Sequence, residues 1–296
     1  MQFGEDVRLI FTSTTGRSGT GYLVNLINSN ALNATAEHDP RPTGYGKPIQ
    51  WYDNKQVEQL RNLVKKKLKR IELGKKLGPG FYELSPWRQL RSYSLDNPKT
   101  SISYSIQIPF EPIIPFVPIL DIYVESSHSF IKSFADAMVE LAPDLSIIHL
   151  TRNPLEVAKS FLNRKSIPSA HSPFLLDPEF KRNKLKLDMT MTDFQKCLWY
   201  WFETELRHVD FIEKYDIESV FDIDIKQLND KNKVKEMFSY FGIKHKKLSL
   251  NLKKNKNPKK TELSSKDLKE AKNLIDNIPE NLLKGVKKMY SIMDLY

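Results

Sequence analysis

The chain has 296 residues, 40% of them hydrophobic and 28% charged. That balance, close to the size at which one core stops growing, predicts a single soluble globular domain over residues 1–296 and excludes a disordered chain. Lys and Arg number 46 against 36 Asp and Glu, a formal charge of +10 that predicts an anionic partner: nucleic acid, a membrane surface or a polyanionic small molecule.

Glu5 and Asp6 stand where a secretory signal would carry basic residues, so no leader is expected and the expected location is cytoplasmic. Val7–Ser13 (VRLIFTS) is a short run of strand formers. Thr14–Gly21 (TTGRSGTG) follows with glycines at 16, 19 and 21, and beyond it Tyr22, Leu23, Leu26 and Ile27 share one helical face. The unit reads strand, glycine loop, helix. Ala36–Pro40 (AEHDP) then reads as a charged loop about a helix-length further on.

Residues 40–118 read as an elaborated insertion. Val57, Leu60, Val64, Leu68 and Ile71 form an apolar helical stripe backed by Arg61, Lys65, Lys66, Lys69 and Arg70. A solvated basic helix packed by its stripe is the expected form, with binding to a membrane surface as the alternative. Arg41, Trp51, Tyr52, Trp87, Arg88 and Tyr93 fall here too, as core residues or, for the aromatic ones, as surfaces that stack on a sugar or phenol. Pro109, Pro112, Pro115 and Pro118 recur at the polyproline II period, and the apolar run Ile113–Leu120 that they break is far below the roughly 18 residues a membrane span needs.

A second strand–helix series begins at Ile119–Val124. Phe130, Phe134, Met138 and Leu141 repeat at helical spacing up to Pro143, with Ser126 and Ser127 as candidate caps. Ile147–Thr151 (IIHLT) is the next strand and Pro154–Arg164 the next helix, opened by Asn153 as cap, Pro154 at the first helical position and Glu156 as a capping-box acid. Strands alternating with helices predict an α/β fold, a parallel sheet flanked by helices, with ligands at the carboxyl ends of its strands. The glycine loop and Arg152 should share that edge.

The last third is mostly helical. Phe194, Leu198, Trp201 and Leu206 mark a long helix carrying Cys197, the one cysteine, which excludes an internal disulfide and a cysteine-based zinc site. Phe221, Ile223 and Ile225 alternate as a strand; Val234, Met237, Phe238 and Phe241 mark a helix ended by Gly242. Lys244–Lys260 holds eight lysines and no acid, and helices at about 264–276 and 280–290 complete the chain.

Glycines between a strand and a helix let consecutive backbone N–H groups face an anion, and the helix dipole adds to their pull. Gly16-x-x-x-x-Gly21 fits the opening of a Walker A loop, but Tyr22 and Leu23 replace the lysine and the hydroxyl residue that ATP or GTP hydrolysis requires. Arg17 inside the loop can fork onto phosphate or sulfonate oxygens at any pH. Arg152, closing a strand, and Ser160, two turns into the next helix, can grip a second phosphate.

These residues resemble the sulfotransferases that use 3′-phosphoadenosine 5′-phosphosulfate (PAPS). TTGRSGTGYL (Thr14–Leu23) is similar to their 5′-phosphosulfate loop in its arginine-bearing form, and LTRNPLEVAKSF (Leu150–Phe161) to their 3′-phosphate motif. The resemblance covers roughly the first 165 residues; beyond them only the general layout agrees. It implies a P-loop-like sulfotransferase fold with Arg17, Ser18, Gly19, Thr20 and Gly21, and Tyr22 at the motif's end, binding the 5′-phosphosulfate. Arg152 and Ser160 would bind the 3′-phosphate, and Lys253–Lys260 (KKNKNPKK) would supply further cations.

The implied reaction moves a sulfonate from PAPS to a hydroxyl acceptor, a carbohydrate or glycolipid by first expectation, without a metal. Arg17 would stabilise charge on the departing bridging oxygen. The favoured base is His38, with Glu37 the alternate and Asp39 a possible orienter. His128 is a rival, although the Lys-Thr-His run of the cytosolic members is absent around it. Two other classes stay open: a P-loop-type nucleotide kinase, and a non-catalytic nucleic-acid-binding protein, for which no recognised module is present.

Overall fold

The computed structural model describes residues 3–38, 120–128, 130–139, 144–163, 176, 183–250 and 262–287. Several expectations lie outside them: the insertion at 40–118 with its basic helix, aromatic residues and proline series, Asp39, Leu141 and Pro143, and the lysines of 253–260.

Among the described residues five strands form one parallel sheet: β1 (Phe3–Ser13), β2 (Ala34–His38), β3 (Leu120–Ser126), β4 (Ser146–Thr151) and β5 (Val220–Asp224), in the order β2-β3-β1-β4-β5. Helix α1 (Thr20–Asn30) links β1 to β2. A π-helical turn (Phe130–Phe134) runs into α2 (Ala135–Val139) between β3 and β4. Then come α3 (Pro154–Asn163), α4 (Asp193–Tyr215), α5 (Lys231–Tyr240), α6 (Ser265–Asp276) and α7 (Glu280–Lys287). The expected α/β fold, a parallel sheet flanked by helices, is the one observed.

The period-two pattern of the central strands explains the layers. Ile10, Val124, Ile148 and Phe221 face one side, packed with Leu23, Leu26 and Ile27 of α1 and with Met237 and Phe238 of α5. Leu9, Phe11, Tyr123 and Ile147 face the other, packed with Phe130, Met138 and Phe211. A further cluster, with Trp199, Trp201, Leu274 and Val286 at its centre, joins α4 to α3, α6 and α7. Helix α4 starts sharply because Thr192 and Gln195 form a reciprocal capping box, and Gly242 at φ 68° turns the chain after α5.

Three expectations are corrected. Ala34–His38, for which the sequence offered only a charged loop as the alternative to a catalytic role, is a strand at the edge of the described sheet: its short alternation is too brief to read, and five register pairs with β3 create it. Ile225 lies beyond β5 in a turn, its N–H donating to the carbonyl of Thr151 at 2.9 Å. Asn153 caps α3 as expected, its side chain accepting from the N–H groups of Leu155 (3.0 Å) and Glu156 (3.1 Å), but the Glu156 carboxylate turns to Arg152 instead of closing a capping box. Among the described residues no helix is long and apolar enough to cross a membrane.

Candidate anion-binding site

β1 sits between β3 and β4, and the chain leaves β1 toward β2 but leaves β4 toward β5. The opposite exits open a crevice at the carboxyl ends of β1 and β4, the place where such sheets bind ligands. The glycine loop lines one side of it and Arg152 the other.

Gly16 (φ 93°), Arg17 (φ 60°) and Gly19 (φ 92°) all adopt left-handed backbone, a conformation that curls successive N–H groups around a concavity. Glycine is free to do this; arginine is not, and strain of about 1–2 kcal/mol is the usual cost for a residue with a Cβ. Gly19 caps α1 without any side-chain hydrogen bond, so the first-turn N–H groups are capped by no side chain at that position. Its own missing side chain matters: a Cβ there would meet Ile225 Cδ1 at 2.8 Å. The loop is closed from within, since the buried Ser18 hydroxyl donates to the Gly16 carbonyl at 3.2 Å.

The two sequence-identified anion grips meet. Arg17 Nε donates to Ser160 Oγ at 3.3 Å, and Arg152 Nη1 donates to the backbone carbonyl of Arg17 at 3.0 Å. Arg152 is braced by Glu156, its i+4 neighbour, at 2.9 Å. Ser160 is buried on α3 beneath the loop. Residues 135 and 143 positions apart are thus tied into one cationic corner.

The candidate bases fall on either side of the loop. His38 ends β2, exposed, with Nε2 at 2.9 Å from the Thr20 hydroxyl and its ring against Gly21, where a Cβ would lie 3.3 Å from Cδ2. Glu37 pairs in register with Glu125 of β3. His128 lies against Gly16, whose hypothetical Cβ would be 3.2 Å from His128 Cβ. Tyr22 stands apart from these groups: its hydroxyl donates to the Leu250 carbonyl at 3.1 Å, tying α1 to the stretch just before the lysine-rich segment.

Below the loop lies a set of polar residues that sequence reasoning missed. Lys132, buried in the π-helical turn, donates to the Thr15 carbonyl at 2.9 Å and to the Tyr200 hydroxyl. Thr15 Oγ1 donates to Glu205 Oε1 at 3.3 Å; Glu205 Oε2 lies 2.8 Å from His149 Nε2; His149 Nδ1 lies 2.7 Å from Asp222 Oδ1. His208 stacks on His149 with ring centroids 3.8 Å apart. Burial alone would depress the His149 pKa, but the charge of Glu205 and the hydrogen bonds to Asp222 and Glu205 outweigh it and lift it to about 9. Burial, and then the charge on His149, hold His208 well below its ordinary value, so it is neutral. The hydrogen bond to His149 likewise lowers the Asp222 carboxyl against the opposing effect of burial. His149, His208 and Asp222 bring ligand atoms within 4.8 Å of one another. Both nitrogens of His149 are taken by carboxylates, however, and the near-parallel rings (18°) do not converge on a point, so His149 and Asp222 form a hydrogen-bonded pair with His208 stacked on it rather than a metal centre.

No family model and no curated protein matches the chain. Among solved structures, a sulfotransferase domain from the curacin biosynthetic pathway is similar at 12% identity and a TM-score of 0.40, over 80% of this chain and 75% of that one.

Proposed function

We propose that the chain is a sulfotransferase that moves the sulfonate of PAPS to a hydroxyl acceptor, with a carbohydrate or glycolipid as the acceptor class. The observation that carries this reading is the meeting of the two grips: Arg17 on Ser160 and Arg152 on the Arg17 carbonyl, at one crevice of the sheet. A donor with a phosphosulfate at one end and a 3′-phosphate at the other needs cations supplied from two strand ends at one crevice, and Arg17 after β1 and Arg152 after β4 are such a pair.

In the reaction the acceptor oxygen attacks sulfur from the side opposite the bridging oxygen. An oxygen–sulfur bond forms, and the bond from sulfur to the 5′-phosphate oxygen breaks with its electron pair on that oxygen. Arg17 and the N–H groups of the loop stabilise the charge gathering there, more strongly than in the ground state. His38 takes the acceptor's proton on Nε2 when the acceptor's hydroxyl replaces that of Thr20, which lies 2.9 Å from this nitrogen. Like phosphoryl transfer, the step depends on in-line positioning and electrostatics, and none of these roles calls for a metal. The absence of the Walker lysine and hydroxyl residue at Tyr22 and Leu23 speaks against a nucleoside triphosphatase or kinase.

A thermal-shift comparison of 3′,5′-diphosphoadenosine, ATP with magnesium and a mixed-sequence oligonucleotide tests the reading. A ligand at a hundredfold its Kd stabilises by about 2.7 kcal/mol, and the diphosphoadenosine is the expected winner. Preference for ATP with magnesium would overturn the proposal in favour of a kinase, and preference for the oligonucleotide in favour of nucleic-acid binding. Transfer of labelled sulfonate from PAPS to a panel of hydroxyl acceptors then identifies the acceptor.

A further inference from the structure

We propose that Asp222, His149 and Glu205 are positioning residues, a buried relay that sets the shape of the anion loop through the hydroxyl of Thr15. The inference rests on the sulfotransferase reading only for the ligand used to detect it.

Thr15 is the last residue before the left-handed pair Gly16 and Arg17, and it is held at both of its polar ends. Its hydroxyl donates to Glu205 of α4 and its carbonyl accepts from Lys132. The direction in which Gly16 and Arg17 leave is therefore set by two buried side chains from different elements. Glu205 does not stand alone. Its second oxygen is 2.8 Å from His149, and His149 in turn is 2.7 Å from Asp222, its register partner on β5. The relay runs from a side chain that is 68% exposed at Asp222, through His149 at 1%, to the loop.

The groups facing His149 come from each element packed on it: Asp222 from β5, Glu205 and His208 from α4, and Ser13 in register on β1, with Lys233 of α5 acting on Asp222. Among the described residues neither ring nitrogen of His208 has a hydrogen-bond partner. It is a neutral stacking surface for a charged His149. Both carboxylates accept from His149 only while it carries two N–H groups. Loss of one proton leaves Glu205 or Asp222 facing a bare nitrogen, and Glu205 is the one that holds Thr15. Buried ions are seldom the cheapest way to stabilise a core, so a relay of them directly under the loop points to a role in setting its geometry.

The test measures the affinity of the full chain for 3′,5′-diphosphoadenosine between pH 6.5 and pH 10 by calorimetry, alongside the His149 ring nitrogen shifts. Glu205→Gln is expected to fold yet bind at least about tenfold more weakly, because the loop loses its template. Should that variant fail to fold, Thr15→Val cuts the same link by removing one hydroxyl and is expected to give the same loss. Asp222→Asn, at the exposed end, should leave the affinity at pH 7 near wild type but move the alkaline loss of affinity to lower pH. The same replacement in a Thr15→Val background should no longer move it. A merely structural network would change the melting temperature without shifting this profile. The relay is overturned if the wild type binds and both Glu205→Gln and Thr15→Val match its affinity and pH profile. If the wild type does not bind the nucleotide at all, it is the sulfotransferase reading that fails. The relay is then judged with inorganic pyrophosphate as the anion, by the same tenfold criterion.

Discussion

Arg152 donates from Nη1 to the backbone carbonyl of Arg17 at 3.0 Å, a bond that joins the end of β4 to the loop after β1. The carbonyl can reach Arg152 because Arg17 is itself left-handed, at φ 60°. One guanidinium therefore ties down the strained loop while Glu156 braces it from the other side.

The consequence is testable at Arg152. Replacement by alanine removes the stitch to the loop and, on the proposed function, a cation for the 3′-phosphate. Hydrogen bonds to charged groups are worth about 1.5–3 kcal/mol, so affinity for 3′,5′-diphosphoadenosine should fall by roughly 10- to 100-fold. Arg152→Lys keeps the charge without the fork and should recover only part of the loss. Calorimetric titration decides it; an Arg152→Ala protein that binds as tightly as wild type would remove Arg152 from the site.

Gly19 provides a purely conformational test. At φ 92° an alanine is strained by about 1–2 kcal/mol, and its Cβ would also sit 2.8 Å from Ile225 Cδ1. Gly19→Ala should therefore lower stability in urea unfolding by more than the backbone strain alone. Adding Ile225→Ala relieves the crowding but not the strain, so the double variant should be more stable than additivity allows. Strict additivity of the two changes would show that the close approach is absent in solution.

The glycine loop, Arg17, Arg152 and Ser160 were legible in the sequence because each lies in a local pattern: strand, turn residues, then a helix with a readable cap. Local pattern also gave β3, β4, α3 and the layered sheet. It could not give the relay. His149 sits mid-strand between Ile148 and Leu150, Glu205 among the polar residues Glu203, Thr204 and Arg207 of a long helix, and Lys132 between Ile131 and Ser133; none belongs to a local motif that marks it for a partner. Only the pairing of β4 with β5, and the laying of α4 over them, brings His149, Asp222 and Glu205 together. β2 was missed for a related reason: five residues with one β-branched member become a strand through their partner.

On the proposed function His38 takes the acceptor's proton, and its loss should cost chemistry rather than folding. It is exposed at the end of an edge strand and bonds to Thr20, so His38→Ala should unfold at nearly the wild-type temperature. Turnover should drop by a factor on the order of 10² or more, with donor affinity less affected. Sulfonate transfer measured at saturating donor separates the two effects. A His38→Ala enzyme at full rate would shift the role to His128 or Glu37, and His128→Ala measured in the same assay tells them apart.

Stability should depend on pH through His149. Its folded pKa of about 9 lies above the unfolded value near 6.5, so the proton stabilises the fold. The contribution is complete below the unfolded value, declines as pH rises and is gone once pH passes the folded value. In that window each pH unit lowers stability by at most about 1.4 kcal/mol. Asp222 acts in the opposite direction: its lowered carboxyl pKa gives stability above the ordinary carboxylate range that is lost on acidification. His208, held neutral in the fold, also costs stability once pH falls below its unfolded value near 6.5, so maximum stability is expected close to that value. Urea midpoints for the wild type from pH 4 to 10 should trace that maximum. Asp222→Asn should start the alkaline decline at lower pH and flatten the acidic one, because the imidazolium has lost a partner. A wild-type midpoint that stays constant from pH 6.5 to 9.5 would mean that His149 is not held as an imidazolium in the folded protein.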